Sequence, residues 1–551
     1  MMAEQPAAPT QLSHRQVLIV FSGLMLGMLL AALDQTIVAT ALPTITGDLG
    51  GLNHLSWVVT AYLLTSTASV PLYGKISDLY GRKRVFQVAI VLFLIGSVVA
   101  GAAQNMLTLI LARGVQGIGG GGLMALSMVI IADIVAPRER GRYQGYTGAV
   151  FATSSVAGPL LGGFFTDSLS WRWIFYINLP LGLLALIVTS AVLNLPFVRR
   201  DHKVDYLGAG LLVSGVSALL LVAVWGGNEY AWTSSTIRTL AVVGTVLMVA
   251  FLLQERRAEE PILPLRLFNE SVFSVGSSIS ALVGLAMFGA TVFLPLYFQV
   301  VTGASATKSG LLMIPMVGGL MLTSISSGRI ISHTGKYRMF PIAGAAVTTV
   351  GLLLLAQIDV DTPRFQTGLF MFVLGAGLGM MMQTLILAVQ NVVPHADMGA
   401  ATSGVTFFRS MGGAFGVAIF GSIMNNRLDY YVPRNVPPDV LASLGSPSGN
   451  ELGRSREAIE ALPEVARSGV IQAFADSLHV VFLVAVPLAA MTFVLAWFLR
   501  EVRLREYVYV SPVAEGEVDL PPPPEALAAG AEGGQITRQR DVPVAGTANT
   551  D

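Results

Sequence analysis

The chain has 551 residues, of which 53% are hydrophobic and only 12% charged, and its mean hydropathy is +0.67. A soluble domain could not bury this much apolar surface, so the composition predicts a protein solvated largely by lipid. Basic and acidic residues balance at 33 each, which argues against nucleic-acid binding. The chain has no cysteine, which excludes disulfides and thiolate metal sites, and no cofactor is expected.

Apolar segments long enough to cross a bilayer, roughly 20 residues at about 1.5 Å each, recur along the chain. They predict an all-α polytopic membrane protein with fourteen spans. In chain order, the predicted spans are 17–42, 54–74, 85–103, 107–131, 143–165, 173–194, 206–226, 237–253, 272–299, 309–328, 340–357, 366–390, 400–424 and 477–499. Lys and Arg concentrate in alternate short loops, so the positive-inside rule predicts that both termini are cytoplasmic.

The spans divide the chain into predicted regions. These are a cytoplasmic N-terminus (1–16), a region with the first six spans (17–194), a region with two further spans (195–271), a region with the last six spans (272–499) and a disordered cytoplasmic tail (500–551). A polar outer loop at 425–475 is a candidate contact for an envelope partner. The tail carries four consecutive prolines and few large apolar residues, a composition typical of disorder.

One short motif occurs twice. Residues 74–84 read GKISDLYGRKR, and residues 328–338 read GRIISHTGKYR. The paired glycines are Gly74 with Gly328 and Gly81 with Gly335. Each copy closes an apolar run, so the repeat predicts a transporter built from two related halves. The carboxylate Asp78 of the first copy corresponds to Ser332 in the second.

Three charged residues lie well inside the predicted spans, Asp34, Arg113 and Arg409, although a charge in hydrocarbon costs roughly 2.5 to 3.5 kcal/mol. Asp34 lies roughly 14 Å below the outer end of its span and Arg113 roughly 10 Å, so their depths allow pairing. A carboxylate that faces a cavity, and whose pKa responds to hydration and to a bound competitor, can carry protons. This interpretation predicts that the pair couples proton movement to transport. The alternative is a static ion pair that orders two helices.

Arg409 has no acidic partner inside the predicted spans. Its candidate partners are backbone carbonyls, Gln383, Gln390 or an anionic group of a substrate, and a structural role is slightly favoured. Polar and aromatic residues of the spans are candidate lining for a substrate cavity, although most aromatic residues in spans serve packing. These candidates are Trp57, Tyr62, Gln116, Phe293, Tyr297, Phe407, Phe408 and Arg409. No second buried carboxylate is visible, so lipophilic neutral or singly charged substrates are predicted.

Glycine is frequent in two spans, and one of them contains a proline. Residues 113–122 read RGVQGIGGGG, and residues 145–163 read GYTGAVFATSSVAGPLLGG. Glycines allow helices to pack closely or bend, and Pro159 removes a helix donor and predicts a kink.

These motifs together resemble the major facilitator superfamily, and within it the fourteen-span drug:proton antiporter branch of EmrB/QacA-like multidrug exporters. The segments 33–43, 171–182 and 293–315 are similar to that branch. The residues that match the superfamily's loop motif are Gly74, Asp78, Gly81, Arg82 and Lys83, and those that match its fourth-span motif are Leu109, Arg113, Gln116, Gly117 and Gly119. Its antiporter motif is matched by Gly145, Gly158, Pro159, Gly162 and Gly163, with Ser154 where that pattern has another glycine.

The resemblance implies two six-helix bundles, an N-terminal one (17–194) and a C-terminal one (272–499), with a linker that carries two extra transmembrane helices (195–271) inserted between them. It also implies alternating access. It implies a proton-coupled antiporter that exports lipophilic drugs or dyes across the bacterial cytoplasmic membrane, with Asp78 latching the two bundles together. Arg82, Lys83 and Arg84 are expected either at anionic headgroups or as solvated charges. The expected partners are membrane lipids and a small amphiphilic substrate, without nucleic acid, and the oligomeric state is open.

Two other functions compete with this interpretation. The first is export of an endogenous lipid, siderophore or secondary metabolite. The second, more remote, is a membrane receptor or enzyme. The six histidines are scattered along the chain and the tail is too disordered for an output domain, so the sequence favours transport over enzyme activity.

Overall fold

A computed structural model describes residues 14–49, 55–193, 205–227, 229–438 and 462–504. These residues are helical almost throughout and contain no β-strand, which confirms the all-α prediction. The helices are α1 (His14–Leu49), α2 (Leu55–Tyr80), α3 (Arg82–Gly101), α4 (Met106–Ile134), α5 (Pro137–Ser168), α6 (Trp173–Tyr176), α7 (Asn178–Val192), α8 (Tyr206–Trp225), α9 (Ser235–Glu255), α10 (Ser271–Val300), α11 (Ala306–Leu312), α12 (Ile314–Thr334), α13 (Met339–Leu355), α14 (Arg364–Val392), α15 (Met398–Asn435) and α16 (Glu464–Trp497). Short 3₁₀ turns at Leu265–Asn269 and His395–Asp397 precede α10 and α15.

Within the described residues, twelve helical segments are long and apolar enough to cross a membrane. Two of them, Trp173–Val192 and Thr307–Thr334, are each built from two helices in series. The other predicted spans coincide with α2, which is rich in serine and threonine, and with α13, which has 17 residues. The count of fourteen spans therefore stays a prediction.

The predicted outer loop at 425–475 begins too early and ends too late. Helix α15 continues to Asn435, and α16 begins at Glu464. Leu428, Val432 and Val436 are buried at four-residue spacing, so one face of this otherwise polar extension joins the core. Residues 439–461 of the loop, and the tail from residue 505, lie outside the described part of the chain.

The helices form two groups. Helices α1 to α7, the first half, pack mainly against one another, as do α10 to α16, the second half. Helices α8 and α9 pair with each other, and α8 contacts α2 and α15. The halves meet principally where α5 packs against α12 and where α2 packs against α15.

Both copies of the repeated motif lie at the same end of the helices, which we call the motif end. The second glycine of each copy has a positive φ, 92° at Gly81 and 70° at Gly335, which other residues rarely adopt. Each glycine ends one helix and lets the chain turn into the next. The sequence repeat is thus also a structural repeat.

Candidate functional site

A buried charge pair lies inside the first half. Asp34 of α1 forms an ion pair with Arg113 of α4, and their side chains are 0% and 1% exposed. The Arg113 Nε atom also donates to the carbonyl oxygen of Val58 on α2, at 3.2 Å. The two residues that the sequence placed at similar depth are therefore in direct contact.

Uncharged polar side chains complete this network. Gln116 Nε2 donates to Asp34 Oδ1 at 2.7 Å, and Gln116 Oε1 accepts from Arg113 Nη1 at 2.7 Å. Asn178 Nδ2 donates to the same Asp34 oxygen at 3.2 Å and to Ser97 Oγ at 3.1 Å. Helices α1, α3, α4 and α7 thus share one hydrogen-bonded centre, which we call the Asp34 network.

The Asp34 network also holds α2. The guanidinium carbon of Arg113 lies 4.3 Å from the centroid of the Tyr62 ring, a cation–π contact. The Tyr62 hydroxyl donates to the carbonyl oxygen of Ala31 at 3.3 Å. Tyr62 and Gln116, predicted as cavity lining, therefore contact the charge pair.

The Asp34 carboxylate has no access to solvent in this conformation. The sequence interpretation placed it beside a cavity, whereas the structure encloses it among protein donors. Close packing by the glycines of α4 contributes: a Cβ at Gly117 would lie 2.4 Å from the Tyr62 carbonyl oxygen, and one at Gly119 would lie 2.5 Å from the Phe93 nitrogen. These glycines serve close helix packing on two sides of α4.

The two halves meet at the motif end through glycines. A Cβ at Gly74 would lie 2.5 Å from the carbonyl oxygen of Gly399 on α15. A Cβ at Gly328 would lie 2.0 Å from the carbonyl oxygen of Gly141 on α5. The first glycine of each motif copy therefore permits one backbone-to-backbone contact between the halves, and the motif end is closed.

Asp78 supports one of these contacts. A Cβ at Gly399 would lie 2.5 Å from Asp78 Oδ2, so the carboxylate sits against the first turn of α15, where helix amides favour an anion. The carboxylate also pairs with Arg82, although neither oxygen has an aligned hydrogen-bond donor among the described residues. Asp78 lies beyond the predicted span 54–74. Burial raises its pKa from 3.8 to about 6, and the opposing effect of Arg82 is smaller.

The headgroup prediction is wrong for Arg82. Its side chain is only 10% exposed, pairs with Asp78, and donates from Nε to Asp133 Oδ2 at 2.8 Å. The turn at Gly81 directs Arg82 back over the end of α2, where it meets both carboxylates. Lys83 Nζ donates to the Ser190 carbonyl oxygen at 2.8 Å, whereas Arg84 is exposed.

Residues 256–270, which we call the connector, link α9 to α10 and bridge both halves at the motif end. Glu260 of the connector pairs with Lys75 of α2. Arg266 Nη2 donates to Asp397 Oδ1, just before α15, at 2.8 Å. Buried Glu255, at the end of α9, accepts backbone N–H groups of the connector and fixes its path. The connector thus spans the α2–α15 contact.

The sequence model of the Major Facilitator Superfamily matches residues 24–417. The chain belongs to this superfamily. It is 37% identical over 512 residues to the multidrug transporter protein MdtP of Bacillus subtilis, covering 89% of this chain and 94% of that one. It is 32% identical over 514 residues to an acurin A biosynthesis cluster MFS-type transporter of Aspergillus aculeatus, covering 91% and 92%.

Solved structures of the superfamily have the same fold. The proton:xylose symporter XylE matches with a TM-score of 0.59 at 14% identity, covering 89% of this chain and 97% of that one. Together with the apolar helices, this confirms the prediction of a multi-pass membrane protein with the major facilitator fold.

The residues that match the superfamily's antiporter motif place α5 between both halves. A Cβ at Gly158 would lie 2.1 Å from Thr36 Oγ1 of α1, and that hydroxyl donates to the Ser154 carbonyl oxygen at 2.9 Å. Pro159 packs against Gly310 of α11, and α5 continues through the proline as one helix.

The remaining residues of the antiporter motif, Gly145, Gly162 and Gly163, also lie on α5. Gly145 faces α12, and Gly163 faces Thr307 of the second half.

The other candidates for cavity lining are dispersed through this major facilitator fold. Trp57 packs edge-on against Trp225 of α8, and Phe408 against Phe268 of the connector. Tyr297 is buried, and its hydroxyl donates to the Asp359 carbonyl oxygen at 2.9 Å. The buried core also holds Phe293 and Phe407. Their contact with a substrate stays a prediction, as does that of Arg409 on α15.

Sequence reasoning missed Asn178, Ser97 and the connector. Asn178 and Ser97 are uncharged, so a search for charges in spans passes over them. A search for any polar side chain inside the sixth span would have found Asn178 within INLP. The connector lies between spans, where charged residues are common, so a charge there does not indicate a functional site.

Proposed function

We propose that the chain is a proton-coupled antiporter that exports lipophilic drugs or dyes across the bacterial cytoplasmic membrane, with both termini in the cytoplasm. The observation that carries the proposal is the Asp34 network, because it links a buried carboxylate through Arg113 to α2, the helix that closes the motif end. The relationship to MdtP, a named multidrug transporter, supports the substrate class.

Protonation of Asp34 would disrupt the network. The ionised carboxylate accepts hydrogen bonds from Arg113, Gln116 and Asn178. A proton on Asp34 leaves the Arg113 charge without its counterion, and breaking a buried pair in this way costs about 3 to 5 kcal/mol. Arg113 must then move, take up water or find another partner.

Helix α2 transmits this change to the motif end. Arg113 contacts α2 at Val58 and Tyr62, near the beginning of the helix. The same helix carries Gly74 and Asp78 near its other end, against α15. A shift of Arg113 therefore biases the contact that closes the transporter. A proton entering from outside and leaving inside would drive the substrate outward.

The test uses purified protein in proteoliposomes with an imposed pH gradient, a lipophilic dye and an internal pH indicator. Asp34→Asn should abolish proton-driven dye transport and the matching proton flux while retaining dye exchange without a gradient. Asp48→Asn is the matched control, because Asp48 lies on the same helix with a side chain 53% exposed. Full proton-coupled transport by Asp34→Asn would refute the assignment.

A second candidate function is export of an endogenous secondary metabolite. The observation that favours it is the relative named for the acurin A biosynthesis cluster, which aligns along nearly the whole chain. A susceptibility panel in an efflux-deficient host, with and without a protonophore, separates the two. Drug sensitivity unchanged for every compound would favour the endogenous substrate.

A further inference from the structure

Arg409 is a cation inside the membrane-spanning part of α15, and the Asp34 network does not use it. Its side chain is partly exposed, and it forms no hydrogen bond, ion pair or ring contact with any other residue in the described part of the chain. Of the partners considered from sequence, Gln390 is engaged elsewhere. An unpaired arginine at this depth is costly, so such residues usually serve a ligand or a pathway.

Gln383 of α14 is the second polar side chain without a full set of partners. It is 6% exposed, and its Oε1 atom has no hydrogen-bond donor among the described residues. A buried amide oxygen left unpaired costs about 1 to 3 kcal/mol. The absence of a protein partner is explained if a bound molecule supplies the missing contact.

A hydrogen bond nearby places these two side chains on the facing sides of α14 and α15. Gln390 of α14 donates to Thr402 Oγ1 of α15 at 3.2 Å. Gln383 lies seven residues before Gln390, and Arg409 lies seven residues after Thr402. Seven residues are two turns, which returns a side chain to within about 20° of the same helix face and about 10 Å along the axis. Helices α14 and α15 are antiparallel, so both seven-residue steps lead away from the motif end. Gln383 and Arg409 therefore lie at about the same height along the two helices.

This face of α14 and α15 is directed at the first half. Gln390 also accepts from Gln144 of α5 at 3.1 Å and donates to the Met128 carbonyl oxygen of α4 at 3.3 Å. Gln144, Gln390 and Thr402 are at most 2% exposed, so together they form a buried polar layer between the halves. Arg409 and Gln383 lie two turns beyond this layer, on the side away from the motif end.

The first half offers an apolar surface at that level. Phe151 follows Gln144 by seven residues on α5, so it lies on the same helix face two turns farther from the motif end. Phe151 is partly buried and packs against the hydrophobic cluster shared by both halves. A molecule between the halves would therefore meet a cation and an amide on one side and an aromatic ring on the other.

We propose that Arg409 and Gln383 form a binding subsite for amphiphilic organic anions that carry one carboxylate or sulfonate on an apolar body. The guanidinium binds the anionic group through charge-assisted hydrogen bonds, the Gln383 amide completes its contacts, and the apolar body packs toward Phe151. This inference rests on the proposed function, because it names a substrate class for that export. The sequence predicts neutral or singly charged substrates, and this inference narrows that prediction to singly charged anions for this subsite.

The test compares two dyes that differ only in an anionic group. 1-Anilinonaphthalene-8-sulfonate is the anion, and N-phenyl-1-naphthylamine has the same rings without the sulfonate. Binding to the full chain in nanodiscs is measured by equilibrium dialysis, with empty nanodiscs subtracted. The variants are Arg409→Gln, Arg409→Lys and Gln383→Leu. The matched control is Arg427→Gln, an exposed arginine on the same helix.

Arg409→Gln should weaken sulfonate binding about tenfold or more, the scale of a charge-assisted contact, with less than about twofold effect on the neutral dye. Arg409→Lys should recover part of the affinity, Gln383→Leu should show a smaller selective loss, and Arg427→Gln should match the parent. Equal losses for both dyes in Arg409→Gln would indicate a structural role and overturn the subsite, as would the absence of saturable sulfonate binding by the parent.

The binding assay needs no proton gradient, so it separates this inference from the proposed function. Selective sulfonate binding through Arg409, without gradient-driven transport of either dye, would refute proton-coupled export and leave the subsite standing. Gradient-driven transport of the neutral dye, with sulfonate binding unchanged in Arg409→Gln, would refute the subsite alone.

Discussion

Replacing Gly328 with alanine should open the motif end. A Cβ at this position would lie 2.0 Å from the Gly141 carbonyl oxygen, whereas ordinary contacts begin at 3.4 Å. Restoring an ordinary contact would require α5 and α12 to separate by 1.4 Å at this point. The obstacle is backbone on both sides, so no side chain can rotate to relieve it. We expect the closed state alone to bear this strain.

Overpacking of this kind costs about 1 to 3 kcal/mol. The ratio of closed to open molecules should therefore fall about 5- to 150-fold. The better helix propensity of alanine applies to both states and cancels. Gly318, on the same helix, is the matched control, because a Cβ there has no atom within 4 Å. Gly318→Ala should leave the ratio unchanged.

The assay is double electron–electron resonance in nanodiscs, with spin labels on Arg84→Cys and Lys336→Cys. These exposed sites lie at the motif end, one in each half, and the parent chain has no cysteine to remove. Gly328→Ala should shift the population to longer distances, with a melting temperature showing that the protein remains folded. Identical distance distributions for the parent, Gly318→Ala and Gly328→Ala would show that this contact does not hold the end closed.

Two further predictions use the same labels. Because the pKa of Asp78 is raised from 3.8 to about 6 when the end is closed, the closed state binds a proton more tightly than an open, hydrated state does. Closure should strengthen as pH falls from 6 toward 3.8 and weaken as pH rises through 6. Asp78→Asn should remove this pH dependence. A parent protein whose closure changes with pH in the opposite direction would contradict the prediction. Glu260→Gln removes the partly exposed pair with Lys75 and should weaken closure by no more than about fivefold. This difference should vanish in 1 M salt, where charges are screened within about 3 Å, and a difference that persists would show that the connector acts by packing instead.

The sequence was most informative where a residue type is unusual for its predicted environment. Asp34 and Arg113 stand out because charges are costly in hydrocarbon, and helix rise gave their relative depth. Gly81 and Gly335 stand out because both fall at the same position of a repeat. In each case one local rule, such as membrane depth or backbone conformation, restricts the residue strongly enough to predict its place.

Features that depend on partners far apart in the sequence were not predictable. Arg82 belongs to a basic run typical of headgroup contacts, and only the position of Asp133 on α4 shows that it is buried. The dispersal of the aromatic candidates depends on which face of each helix meets which neighbour. A single sequence gives the periodicity of one helix and no information on the rotation of another helix against it.

Closure of the motif end and binding of a ligand depend on different parts of the chain. Main-chain atoms make the closing contacts at Gly74 and Gly328, and main-chain atoms are the same whatever molecule is carried. The side chains available to a ligand, such as Arg409 and Phe151, lie on other turns of other helices. Mutation can therefore alter the cargo by changing a few side chains without loosening the closure. Such a division makes a broad and rapidly changing substrate range easy to evolve.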